Sequence, residues 1–156
     1  MREKPKEWLT FWLFLFAYLI TVAITFIDFF KLNILTFNHE IIFGLILVAG
    51  IVIRILCKIW LRRFFSIHIK IREDHEVVQK GLYKYVRHPM YTSILLMFIG
   101  LAGVFSSILG IISTLVLILP TVLIRIHREE YYLKKKTKER YEDYMRHTKK
   151  LIPFIY

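Results

Sequence analysis

From Trp8 to Ile27 the chain carries no acidic or basic side chain, and none occurs again between Pro89 and Arg125. A charge-free run of about 20 residues, rising about 1.5 Å per residue as a helix, crosses the roughly 30 Å hydrocarbon layer of a bilayer. The first run is therefore one membrane span. A cleaved leader would have an apolar stretch of about 7–15 residues followed by small residues. Here Phe26, Phe29 and Phe30 follow instead, so we expect this segment to be retained. Ile41 to Leu61, interrupted by Arg54 and Lys58, is a second span. Tyr91 to Ile124 supplies a third and a fourth if the chain turns tightly near Phe105-Ser106-Ser107. With 56% apolar residues and a formal net charge of +11 in 156 residues, the composition excludes an ordinary soluble domain.

The expected fold is an all-α integral membrane protein of about four transmembrane helices, with a C-terminal helical hairpin and a cytosolic C-terminal helix or tail. A single domain covers 1–156: two N-terminal transmembrane helices in 1–64, a cytosolic or interfacial connector in 65–90, the hairpin in 91–126 and the tail in 127–156. Cations set the expected orientation. Arg2, Lys4 and Lys6 precede the first span, and Lys31 alone occupies the first external turn. Lys58, Arg62, Arg63, Lys70, Arg72, Lys80, Lys84 and Arg87 gather at and beyond the end of the second span. The hairpin tip has none, so both termini are expected to face the cytoplasm. Anionic headgroups account for such charge, at roughly 1 kcal/mol per nearby Lys or Arg. No nucleic-acid motif accompanies the basic residues, so a nucleic-acid partner is not expected.

Cys57 has no partner for a disulfide, and the six His, at 39, 68, 75, 88, 127 and 147, lack metal-ligand spacing, so no metal is expected. Arg54 and Lys58, spaced i,i+4, are expected to snorkel along their helix to the cytoplasmic interface. Asp28 is read as a boundary residue of the first span.

Ile67, Ile69 and Ile71 alternate with His68, Lys70 and Arg72, which suggests an extended segment along the interface. Gly81 frees the backbone for a turn, and Pro89 disfavours helix at His88 while suiting the first turn of the helix that follows. Arg87 and His88 thus stand just ahead of a helix N-terminus, a place suited to an anion. At the other end of the hairpin Arg125 and Glu129 share a helix face, with Glu130 about 100° further round. Taken separately, these groups read as a lipid anchor with an aromatic belt and as a solvated i,i+4 pair. If the hairpin folds back on itself the two clusters meet, and a zwitterionic ligand with an extra positive centre needs both. S-adenosylmethionine, with its carboxylate, ammonium and sulfonium, is such a ligand.

The pattern Gly-x-Tyr-x-x-x-Arg-His-Pro-x-Tyr from Gly81 to Tyr91 resembles the signature of the isoprenylcysteine carboxyl methyltransferase family and its phospholipid methyltransferase relatives. The resemblance continues through Arg125, Glu129-Glu130, Leu133, Tyr141-x-x-Tyr144 and Ile152-Pro153-Phe154, about half the chain from Gln79 onward. Lys138 stands where the family often has Gly, and His147-Thr148-Lys149 where it has Arg-Val-Pro, so the tail and the substrate entrance differ. The resemblance implies a membrane methyltransferase that uses S-adenosylmethionine. It implies that Gln79, Tyr83, Val86, Arg87, His88, Tyr91, Glu129 and Glu130 hold the cofactor and that Arg125 orients the acceptor. The acceptor would be a lipophilic small molecule or lipidated peptide drawn from the membrane lipid, with carboxyl O-methylation as the leading reaction. N-methylation of an aminolipid, with Glu129 as base, is an alternative, as is O-methylation of a lipophilic phenol or polyketide. A non-catalytic membrane scaffold whose Lys134–Lys138 run docks anionic lipid is the reading from another class.

Overall fold

Glu7–Ile27 forms helix α1, whose last turn widens into a π turn over Asp28–Leu32 before Asn33 ends it in the left-handed region. In the computed structural model of this chain, residues 7–34, 39–61, 79–137 and 139–153 are described. Helix α2 covers Glu40–Leu61, α3 Pro89–Val104, α4 Ile108–Ser113, α5 Leu119–Thr137 and α6 Glu139–His147. A 3₁₀ turn at Gly81–Lys84 leads into α3, and a π turn at Thr114–Ile118 joins α4 to α5 without a break. The alternating isoleucines at 67–71, the cations at positions 2, 4, 6, 62, 63, 70 and 72, Lys138 and Phe154 lie outside the described residues.

Among the described residues three helical stretches are long and apolar enough to cross a membrane: Trp8–Leu32, Glu40–Leu61 and Ile108–Thr137. The expected third span is shorter. At 16 residues α3 rises about 24 Å, less than a full hydrocarbon layer. The merged α4–α5 helix rises about 45 Å over 30 residues, so its C-terminal turns extend past the bilayer. Among the described residues no strand occurs; Val86 and Lys149 form one isolated parallel bridge. The chain is an integral, multi-pass, all-α membrane protein.

The hairpin turns where expected. Ser106 adopts a positive φ of 47°, and the Ser107 hydroxyl caps α4 by accepting from the Gly110 amide at 2.9 Å. Asp28 closes the same corner from α1: its Oδ2 accepts from the Ser107 hydroxyl at 2.7 Å and from the Leu109 amide at 3.2 Å. The boundary residue is thus buried, 1% exposed, against the first turn of α4.

Ala17 of α1, Phe98 of α3, and Ile118, Val122 and Ile126 of the last long helix share one apolar cluster with Leu151 of the tail. Helix α2 packs on the opposite side of α3, along a seam of small residues. A Cβ added to Gly100 would stand 2.5 Å from the Leu47 amide nitrogen, and one on Gly50 would stand 2.9 Å from the Met97 backbone. Close backbone approach of this kind holds helices together where lipid removes the hydrophobic driving force between them. Arg54 shares this face, four residues beyond Gly50 and three before the buried Cys57. Its Nη1 is buried with no hydrogen-bond partner among the described residues.

Candidate active site

Gly81 sits at φ +58° with Trp60 packed where a side chain would be, and this turns the chain from α2 toward α3. Pro89 occupies the first turn of α3 with His88 at its N-cap, as the proline geometry requires. The backbone just ahead of that helix runs beside the tail. Lys149 donates its amide to the Tyr85 carbonyl at 3.1 Å, Arg87 donates to Lys149 at 2.7 Å and His88 donates to Lys150 at 3.0 Å. The Thr92 hydroxyl adds a bond to the Leu151 carbonyl at 2.6 Å. This pairing fixes Arg87 and His88 against α5.

The two ends of the hairpin meet. Arg87 Nε donates to Glu130 Oε1 at 2.9 Å, and His88 Nε2 lies 3.3 Å from the same oxygen. His88 Nδ1 is 3.9 Å from Glu129 Oε2. Arg87, His88 and Glu130 are buried, while the Glu129 side chain keeps 34% exposure. The anion at the α3 entrance is therefore the protein's own Glu130. Arg87 Nη1 also donates to the carbonyls of Thr148 and, at 3.2 Å, Met145. A lipid-phosphate anchor is excluded for a guanidinium enclosed in this way.

Arg125 Nε lies 3.4 Å from the Tyr91 hydroxyl, and its guanidinium sits 5.7 Å over the Phe14 ring. Tyr91 contacts Glu129 as well as Arg125, and its ring centre lies 5.9 Å from that of His88. Of the remaining residues singled out in the sequence, Val86 and Tyr83 are buried against the tail and α2, whereas Gln79 is exposed at the start of the segment. The Tyr83 hydroxyl contacts the Cys57 thiol, and its carbonyl accepts from the Tyr144 hydroxyl at 2.6 Å.

Burial pushes the phenols of Tyr83, Tyr141 and Tyr144 above the ordinary tyrosine range, with Glu130 and Glu129 adding to the effect at Tyr141. These hydroxyls remain neutral donors. Chemically, the assembly offers one buried carboxylate balanced by Arg and His, one partly open carboxylate, a second guanidinium and several aromatic faces. It suits a cationic ligand and an anionic one side by side.

Sequence reasoning expects the tail to complete the cofactor site but does not find how the tail holds Arg87. Thr148 and Met145 hold Arg87 through backbone carbonyls, and Lys149 and Lys150 pair through the main chain, none of which leaves a side-chain pattern. Tyr141 and Tyr144 did leave a signal, their i,i+3 spacing in a short amphipathic helix.

The model of the isoprenylcysteine carboxyl methyltransferase family matches residues 40–135. Protein-S-isoprenylcysteine O-methyltransferase B of Arabidopsis thaliana is 31% identical over 116 residues, which is 72% of this chain and 59% of that protein. Form A from the same plant is 30% identical over 116 residues, with the same shares. The chain thus spans about three-fifths of the length of these relatives. Its fold is similar to that of a eukaryotic intramembrane Ras methyltransferase, an isoprenylcysteine carboxyl methyltransferase solved without a monobody. That match has a TM-score of 0.71 at 23% identity and covers 99% of this chain and 55% of the other.

Proposed function

The chain belongs to the isoprenylcysteine carboxyl methyltransferase family, and on that premise we propose that it methylates the carboxylate of an isoprenylcysteine-like or other lipophilic acid, using S-adenosylmethionine. The observation that carries this reading is the meeting of His88 and Arg87 with Glu130 at 3.3 and 2.9 Å, which brings the Glu129-Glu130 pair to the entrance of α3. The donor set fits the proposed cofactor. Two adjacent carboxylates and the rings of Tyr83, Tyr91 and Tyr141 attract positive charge by Coulomb and cation–π forces. Bound there, the cofactor supplies an electrophilic methyl group on a positively charged sulfur.

The chain's own groups then do the positioning. Glu130, with His88, Tyr91, Tyr83, Val86 and Gln79, holds the cofactor, and Arg87 keeps Glu130 ionised and in place. Glu129, partly open, completes the acid pair on the cofactor's positively charged part. Arg125 receives the acceptor carboxylate as a planar fork and brings one oxygen into line with the methyl group. No general base is required, because a carboxylate is already nucleophilic at neutral pH. Opposite charges cancel as the reaction proceeds, so exclusion of water by the apolar walls favours it. Both termini face the cytosol, where the cofactor is taken up, and the acceptor arrives from the bilayer.

The test is methyl transfer from labelled S-adenosylmethionine to a farnesylated cysteine by the purified protein. A product that releases methanol in mild base supports carboxyl methylation. A base-stable product points to the nitrogen as acceptor, and the absence of both cofactor binding and transfer overturns the reading.

A further inference from the structure

Tyr141 is 2% exposed, and among the described residues its buried hydroxyl has no hydrogen-bond partner. Its neighbour one turn along α6, Tyr144, is equally interior but donates to the Tyr83 carbonyl at 2.6 Å. One tyrosine of the pair fastens the helix, and the other leaves a donor unmet. An unmet buried hydroxyl is costly, so a protein that keeps one gains by meeting it in another state. Tyr141 packs with Leu133, one turn along α5 from Glu129 and Glu130, so it lies near the acid pair, whose charges bear on its hydroxyl.

We infer that the Tyr141 hydroxyl donates a hydrogen bond to the carboxylate of the methionine part of the proposed cofactor. The inference rests on the reading of the preceding section and deepens it. In an amino-acid head group the ammonium and the carboxylate share one carbon. If the acid pair takes the ammonium, the carboxylate lies beside it and needs a donor that is not itself an acid. Arg87 has Nε and Nη1 turned to Glu130, Met145 and Thr148. Tyr141 is neutral, buried and adjacent, and a phenol meets a carboxylate in a short charge-assisted bond.

The experiment is calorimetry on the full chain in detergent with S-adenosylmethionine and with its decarboxylated analogue, for wild type and Tyr141→Phe, alongside thermal unfolding without ligand. The wild type is expected to favour the carboxylate-bearing ligand by about tenfold. In Tyr141→Phe that preference disappears, the analogue binds as before, and the unliganded Tm is unchanged or higher. Equal binding of S-adenosylmethionine by both proteins overturns the assignment, as does equal loss for both ligands. A lower unliganded Tm overturns it too, because the hydroxyl then has a structural partner. If the wild type binds neither ligand, the proposed function itself fails and this contact with it.

Discussion

The hydroxyl of Tyr144 reaches across to the main-chain carbonyl of Tyr83, 2.6 Å away, and so ties α6 to the turn that delivers Arg87 and His88. Both partners are buried, and deleting the hydroxyl leaves a carbonyl unmet. Tyr144→Phe should cost about 1–2 kcal/mol and lower the Tm by about 2–8 °C, measured in detergent. Because α6 packs on Leu133, one turn along α5 from the acid pair, cofactor affinity should fall with it.

Arg87 and Glu130 should prove unequal to their replacements. Truncating Arg87 to Ala leaves a buried carboxylate with His88 alone and should cost about 3–5 kcal/mol. Arg87→Lys should recover little, since an ammonium does not present the planar fork that reaches Glu130 and the tail carbonyls together. The pair Arg87→Met with Glu130→Leu should restore much of the Tm and none of the binding of S-adenosylmethionine. Unfolding and calorimetry on the same samples separate the two effects.

Asp28 gives the opposite signature. Asp28→Ala removes the acceptor of the Ser107 hydroxyl and the Leu109 amide, and should destabilise by about 1–2 kcal/mol. The hairpin tip lies at the far end of α3 from the acid pair, so affinity for S-adenosylmethionine should be that of the wild type. A parallel loss of affinity in calorimetry would mean that the tip and the site are coupled.

Arg54→Met should raise stability. The buried Nη1 of Arg54 has no hydrogen-bond partner among the described residues, and a thioether in its place removes that unmet donor, a gain of about 1 kcal/mol or more. Thermal unfolding reads the sign directly. A fall in Tm would show that the guanidinium is compensated.

The spans, the turn at Phe105-Ser106-Ser107 and the entrance geometry at His88-Pro89 are legible in the sequence, since each follows from charge-free length or from backbone restrictions of particular residues. The convergence of Arg87 and His88 on Glu130 is legible for a related reason: a hairpin bracketed by opposite charges brings its ends together. The partners of Asp28 are not, because a carboxylate near a span end looks the same whether it faces water or caps a helix 79 positions away. The enclosure of Arg87 is hidden as well. Its carbonyl partners belong to Met145 and Thr148, and a main-chain acceptor carries no residue signature.

The seam between α2 and α3 carries one more implication. Gly50 and Gly100 let main chain lie on main chain there, so close packing of small residues holds α2 on α3 along this seam. Surfactant molecules that wedge between helices should breach this seam first. A solubilised preparation would then lose the docking of α2 while the acids and the tail stay assembled, making nanodisc reconstitution the setting in which to judge acceptor entry.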